Sequence, residues 1–113
     1  MRDALVNLLQ TLPDCSFVDI CNRIPGARGE LSLVSERFPT VVLWVGLSAE
    51  LVEALKTLQR DGQIEYRPCL HLSYLVDGQT VALPLAKRFH AYKRPHWLPV
   101  HVHLRENRAA KRA

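Results

Sequence analysis

Residues 48–62 carry a complete set of helix signals, and they constrain the fold more than any other part of the chain. Ser48 is a residue type that commonly caps helix N-termini. Asp61-Gly62 follows the apolar residues, and glycine can take the left-handed conformation that a helix C-terminus needs. The segment therefore predicts an amphipathic helix that packs on a core through positions at the spacing of one helix face: Leu51, Leu55 and Leu58.

Strand-like patterns follow this helix. Residues 64–67 alternate apolar and polar side chains and end at Pro68, which predicts a short strand. Alternation resumes over residues 70–85, on both sides of Asp77-Gly78. That pair suits a two-residue hairpin turn, whose central residues need positive φ, so we expect a β-hairpin there.

Two helices are predicted in the N-terminal part of the chain. Apolar residues recur at helical spacing over residues 3–12, with Asp3 as the predicted N-cap. Ser16 and Asp19 then resemble a capping box, in which side chains and backbone amides bond reciprocally at a helix N-terminus. We therefore expect a second helix that ends near Ile24, before a proline and a glycine.

A loop and a strand are predicted between these helices and Ser48. Residues 25–39 begin and end with proline and contain two glycines, which predicts a loop with a short helix over residues 31–37. Residues 41–45 are apolar and rich in β-branched side chains, which favours a buried strand. Helices and strands together place the chain in the α+β class.

The order of helix, strand and predicted hairpin over residues 48–86 resembles the second half of a winged-helix domain. The resemblance implies three helices, a small antiparallel sheet and a β-hairpin wing over residues 1–86. Residues 87–113 are expected to form a basic extension with a disordered end. In that family the helix before the wing usually enters the major groove of DNA, and the wing touches phosphate or the minor groove. The implied groove-facing residues are Ser48, Ala49, Glu53, Lys56, Thr57 and Arg60. The implied wing tip consists of Asp77, Gly78 and Gln79.

Charge is distributed unevenly along the 113 residues, whose net charge is +4. Residues 1–86 contain seven Lys/Arg and ten Asp/Glu, whereas residues 87–113 contain eight Lys/Arg and one Glu. A basic segment beside a mildly acidic domain favours an anionic partner, most often nucleic acid. A solubilising tail is the alternative.

The basic segment also interleaves cations with aromatic residues. Cations hold phosphate, while aromatic faces can stack on exposed bases. We therefore predict nucleic-acid contacts from Lys87, Arg88, Lys93, Arg94 and Trp97, in addition to Lys56, Thr57, Arg60 and Gln79. In the alternative interpretation, the aromatic residues close the core and the cations are merely solvated.

Histidines and cysteines offer a metal site as an alternative. His101 and His103 alternate with apolar residues over residues 100–104, which predicts a last short strand with one buried face. That strand already accounts for both imidazoles. We therefore predict that His101 and His103 are not catalytic and are not metal ligands. A metal site with His90 or His96 as the third ligand is the alternative. The three cysteines include no CxxC motif, so reduced thiols are expected, with zinc bound together with His71 as the alternative: Cys15, Cys21 and Cys69.

These features together predict a DNA-binding protein with duplex DNA as its partner and without a cofactor. A small transcriptional regulator is expected, or an accessory factor of a plasmid, phage or mobile element. A homodimer follows from the resemblance alone. Glu50 and Glu53 in the predicted groove-facing helix favour a first alternative, a winged-helix protein–protein interaction module.

Enzymatic and membrane functions have weaker signals. A small basic nuclease or toxin, using histidines as acid and base, is the second alternative. The chain contains no nucleophile elbow, phosphate loop or HExxH motif, so no catalytic site is predicted. The longest apolar run, residues 41–47, is too short for a membrane span, and the N-terminus lacks a signal-peptide pattern. We therefore expect a cytoplasmic protein without a membrane partner.

Overall fold

The computed structural model describes residues 1–76 and 78–105, and this part of the chain has four helices and two small β-sheets. The predicted α+β class is confirmed. In chain order the elements are α1 Arg2–Thr11, α2 Phe17–Arg23, β1 Arg28–Val34, β2 Val41–Leu47, α3 Ala49–Arg60, β3 Ile64–Pro68, α4 Leu72–Leu75, β4 His96–Trp97 and β5 Val100–Leu104.

Helices α2 and α3 begin at the residues that their capping signals predicted. The Ser16 hydroxyl accepts from the Asp19 amide at 3.0 Å, and the Asp19 carboxylate accepts from the Ser16 amide at 3.1 Å. The capping box is therefore confirmed. The Ser48 hydroxyl accepts from the Leu51 amide at 3.2 Å, and Gly62 closes the other end of α3 with a φ of 73°.

Residues 28–34 form strand β1, so the predicted short helix in this region was wrong. Most of its side chains are exposed, and the strand is held by antiparallel pairing with β2 rather than by an apolar face. Gly29 lets β1 run close to the start of α3, because a Cβ atom there would lie 2.6 Å from the Ser48 Cα. As predicted, β2 is an interior strand, in the order β1-β2-β4.

Residues 70–85 do not form the predicted β-hairpin. They include the one-turn helix α4, and Asp77 of the predicted turn lies outside the described residues. Strand β3 pairs with β5, in an antiparallel register that runs from Ile64–Leu104 to Pro68–Val100. Residues 70–76 and 100–104 both alternate apolar and polar side chains, so this pattern alone does not indicate which of them pairs with β3.

Part of the basic segment is built into the fold. Strand β4 pairs parallel with β2, and the last strand predicted over residues 100–104 is confirmed as β5. The second residue of β4, Trp97, lies in the core, where 2% of its surface is exposed. The predicted disordered end, residues 106–113, lies outside the described residues.

The core contains most of the side chains that the helical patterns placed there. The fully buried ones are Leu5, Phe17, Ile20, Leu51, Leu55 and Leu58. Leu8 is half-buried, and Leu72 is 56% exposed because its predicted strand is absent. Helix α1 starts after Met1 without a side-chain cap, so the predicted N-cap at Asp3 was wrong.

Replacing Leu55 with alanine should lower the free energy of unfolding by about 2–5 kcal/mol, because the side chain is fully buried and its loss leaves a cavity. Urea denaturation of the two proteins measures the difference. Glu53→Ala, at an exposed position on the same helix, is the matched control and should change stability by less than about 0.5 kcal/mol. Equal effects of the two substitutions would contradict the packing described for α3.

Candidate nucleic-acid interface

Residues 87–96, which we call the cationic loop, fold around a single tyrosine. The Tyr92 hydroxyl accepts a hydrogen bond from the Lys87 amide at 3.2 Å and donates one to the Arg88 carbonyl at 3.2 Å. Both bonds use the backbone of the cationic residues. The side chains of Lys87 and Arg88 therefore take no part in closing the loop.

Two histidines hold the ring of Tyr92 in place. The imidazole of His96 stacks on it with ring centroids 4.3 Å apart and planes inclined by 21°. His90 meets the same ring edge-on at 5.1 Å. His96 Nδ1 lies 2.7 Å from the Arg94 carbonyl, which can only accept, so this nitrogen carries the proton. Up to His96, where β4 begins, the loop is thus ordered by side-chain contacts rather than by helix or strand.

Four cations project from this loop into solvent: Lys87, Arg88, Lys93 and Arg94. The sequence from 87 to 96 contains no carboxylate that could neutralise them. Within residues 1–76 and 78–105 the ion-pair contacts all lie elsewhere, namely Arg60–Glu36, Arg67–Glu65 and His103–Asp14. The loop therefore presents a concentrated positive charge that is open to an anionic ligand.

The aromatic side chains near these cations pack in the core or within the loop. The ring centroid of Trp97 lies 5.8 Å from that of Trp44 and 5.6 Å from that of Tyr74, and its side chain is fully buried. The Trp97 ring is therefore not accessible for stacking on a base. Phe89 and Tyr92 are half-buried against the core. The accessible chemistry of the loop is therefore that of its cations.

The residues predicted on α3 and at the wing tip belong to elements other than the loop. Lys56 and Thr57 are half-buried, and the exposed Arg60 guanidinium lies 3.0 Å from the Glu36 carboxylate. Gln79 is half-buried after α4 rather than at the tip of a hairpin. No hydrogen bond or ion pair among the described residues joins these side chains to the cationic loop. Of the other implied groove-facing residues, Ser48 caps α3 and two are exposed: Ala49 and Glu53.

The two histidines of β5, His101 and His103, are half-buried and alternate along the strand with the buried Val100 and Val102. His103 Nε2 is 3.3 Å from the Asp14 carboxylate, a contact that would suit an ion pair. Burial nevertheless lowers the pKa of His103, and the positive charge of Arg67 acts in the same direction, against the opposing effect of Asp14. We take the imidazole to be neutral near pH 7, because the side chain is 12% exposed while its carboxylate partner is 73% exposed and well solvated.

The lowered pKa of His103 predicts that the protein loses stability in mild acid. The unfolded chain binds this proton more readily than the folded one, so the contribution is present above pH ~6.5 and is lost as pH falls through the folded pKa. The free energy of unfolding of His103→Gln should therefore depend less on pH between about 7.5 and 5.5 than that of the wild type. His90→Gln, at an exposed position, is the control and should keep the wild-type pH dependence. Identical profiles for wild type and His103→Gln would contradict this account.

The three thiols are free and lack activation. Burial raises the pKa of Cys15 to about 12, with Asp19 adding to the shift. Burial also raises the pKa of Cys21 and Cys69. The thiolate is the nucleophilic form, so these cysteines are unsuited to attack a substrate. Among the described residues no three His, Cys, Asp or Glu side chains are placed to hold a metal ion.

No helix within the described residues has the length and apolar character required to cross a membrane.

The chain matches no family model, no curated protein and no solved structure. The functional interpretation therefore rests on the geometry of the cationic loop.

Proposed function

We propose that the protein binds duplex DNA through the cationic loop, as a small transcriptional regulator or as an accessory factor of a plasmid, phage or mobile element. One observation carries this proposal: four exposed cations, which have no carboxylate partner within residues 1–76 and 78–105, project from one ordered loop. Tyr92 bonds to the backbone of the loop, so the loop is already ordered before DNA binds. Less conformational entropy is then lost when DNA binds.

Phosphate is the part of the nucleic acid that this loop suits. Duplex DNA carries a negative charge about every 1.7 Å along its axis, so four neighbouring cations can each find a phosphate. Base stacking would need free aromatic faces, and Trp97 and Tyr92 are committed to the core and to the loop. We therefore propose that the loop contributes affinity with little sequence preference.

The position of the loop supports a winged-helix interpretation in a modified form. Strands β3 and β5 make a two-stranded antiparallel ribbon, and β3 directly follows α3. The connection between them, residues 69–99, contains the cationic loop. Under this interpretation the two strands of the wing are β3 and β5 rather than residues within 70–85, and the cationic loop would be the part of their connection that touches phosphate.

A salt titration tests the proposed function. With about four phosphate contacts, the logarithm of the association constant should fall with the logarithm of salt concentration at a slope of about −3.6 on duplex DNA. Fluorescence anisotropy of a labelled duplex of random sequence measures it, and a single strand of the same length should give a slope of about −2.8. Lack of binding to either at about 50 mM salt would refute the proposal.

A protein–protein interaction module is the second candidate, and one observation favours it. Leu70 is 72% exposed and Val76 is 87% exposed. Neighbouring exposed apolar side chains are typical of surfaces that bind another protein. Glu50 and Glu53 on the outer side of α3 would also suit a protein partner better than phosphate. Absence of DNA binding together with capture of a specific protein partner would favour this candidate.

A further inference from the structure

A groove lies between helices α1 and α3. One part, of about 540 Å³, is lined from Arg2 on α1 to Leu58 on α3 and to Gln63 beyond the C-terminus of α3. The other part, of about 570 Å³, is lined by the same Arg2 and by one side of α3 between positions 49 and 57. Because the two parts share Arg2, they form one continuous surface along α3, which we call the α1/α3 groove.

The lining of the α1/α3 groove carries a negative side-chain charge. It contains one cation, Arg2, and three carboxylates, so the balance is −2: Asp3, Glu50 and Glu53. Within residues 1–76 and 78–105 these four exposed side chains take part in no ion pair. The lining also includes the buried apolar side chains of Ala54 and Leu58. These features suit a ligand that combines cations with small apolar side chains.

The chain itself supplies such a ligand beside the groove. The Arg105 amide donates to the Gln63 carbonyl at 2.9 Å, so the chain leaves β5 next to a residue that lines the groove. The segment that follows, residues 106–113, contains one glutamate and three cations: Arg108, Lys111 and Arg112. Two alanines separate the first of these cations from the second. The charge of the segment is therefore opposite to that of the groove.

The segment is also long enough to follow the groove. An α-helix rises about 1.5 Å per residue, which places Glu50 about 20 Å from Gln63 along α3. An extended chain covers about 3.3 Å per residue, so Lys111 can lie up to about 20 Å from Arg105. The second and third cations of the segment can thus reach the far end of the groove.

We propose that residues 106–113 dock in the α1/α3 groove of the same molecule, with Lys111 and Arg112 beside Glu50 and Glu53. Exposed ion pairs are individually weak, but a short tether gives the segment an effective concentration in the millimolar range. Weak pairs therefore suffice within one molecule. The inference does not depend on DNA binding, because the groove and the cationic loop have no residue in common.

Carbodiimide cross-linking of the dilute full chain tests this docking, because the reagent joins a lysine amine to a carboxylate in contact with it. At about 50 mM salt the monomeric product should contain links from Lys111 to Glu50 or Glu53, and about 1 M salt should remove most of them by screening. Lys93, in the cationic loop, is the internal control and should form no link to either glutamate. Absence of the Lys111 links, or their presence only in a dimeric product, would overturn the proposal.

Charge reversal tests the pairing in the full chain. The groove variant is Glu50→Lys with Glu53→Lys, and the segment variant is Lys111→Glu with Arg112→Glu. In the wild type, the NMR amide resonances of the groove lining should move when salt releases the segment. Each variant should reduce this movement at least about threefold, and the two variants combined in one chain should restore it. A full response in either variant, or a combination that fails to restore it, would overturn the pairing.

A matched control separates this pairing from net charge. Lys93→Glu with Arg94→Glu changes net charge by the same amount as the segment variant, at exposed positions in the cationic loop. It should keep the wild-type salt response of the groove amides. A loss of response equal to that of the segment variant would contradict docking of residues 106–113. Circular dichroism checks that every variant keeps the fold.

Discussion

Reversal of the charge at Lys87, Arg88, Lys93 and Arg94 to glutamate should abolish binding to duplex DNA. Each substitution removes a phosphate contact and adds a repelling carboxylate, and these four cations carry the proposed affinity. The fold should persist, because the loop is closed by Tyr92 through backbone atoms of Lys87 and Arg88. The double variant Lys93→Glu, Arg94→Glu should bind measurably at low salt, with a slope reduced to about −1.8.

A matched control separates a local interface from net charge. Arg2→Glu with Arg23→Glu changes net charge by the same amount as the double variant, at two exposed positions on α1 and α2. Its effect on DNA affinity should be small compared with that of the double variant, because screening limits the reach of a surface charge to about 10 Å at 0.1 M salt. Equal losses in the two double variants would contradict the assignment of the interface to the loop. Unchanged binding by the fourfold variant would show that its cations are merely solvated.

Truncation of Tyr74 to alanine should be the most destabilising single change in the segment between β3 and β4. The side chain is fully buried, and its ring stacks on that of Trp44 at 4.8 Å. Its hydroxyl donates to the Val100 carbonyl at 2.7 Å and accepts from the Phe17 amide at 3.1 Å. Loss of the ring should cost about 3–5 kcal/mol of unfolding free energy.

Substitution of Tyr74 by phenylalanine isolates the hydroxyl. Burial raises the pKa of Tyr74, so the hydroxyl stays protonated and can donate at all ordinary pH values. Its removal leaves the Phe17 amide and the Val100 carbonyl without this partner and should cost about 1–3 kcal/mol. Guanidinium denaturation measures both variants, with the exposed Thr80→Ala as a control expected near zero. Wild-type stability of the phenylalanine variant would contradict a structural role for the hydroxyl.

The candidate site was only partly predictable from sequence. Lys87, Arg88, Lys93 and Arg94 could be identified because a run of cations without carboxylates is visible in the chain itself. The burial of Trp97 could not be predicted, because an aromatic residue in a basic segment is equally compatible with base stacking and with a place in the core. Its contacts with Trp44 and Tyr74 join residues far apart in sequence, and those contacts determine its burial.

The same distinction between local and distant contacts explains which elements of the fold were predicted. The sequence by itself determined where α2 and α3 begin, because the capping bonds of Ser16 and Ser48 reach only three residues along the chain. Tertiary structure alone decided that β3 pairs with β5 rather than with residues 70–76. Both segments have strand-like alternation, and the choice depended on burying Val100 and Val102 while Tyr74 held α4 against the core. Strand pairing is a contact between distant residues, so a local pattern predicts a strand without predicting its partner.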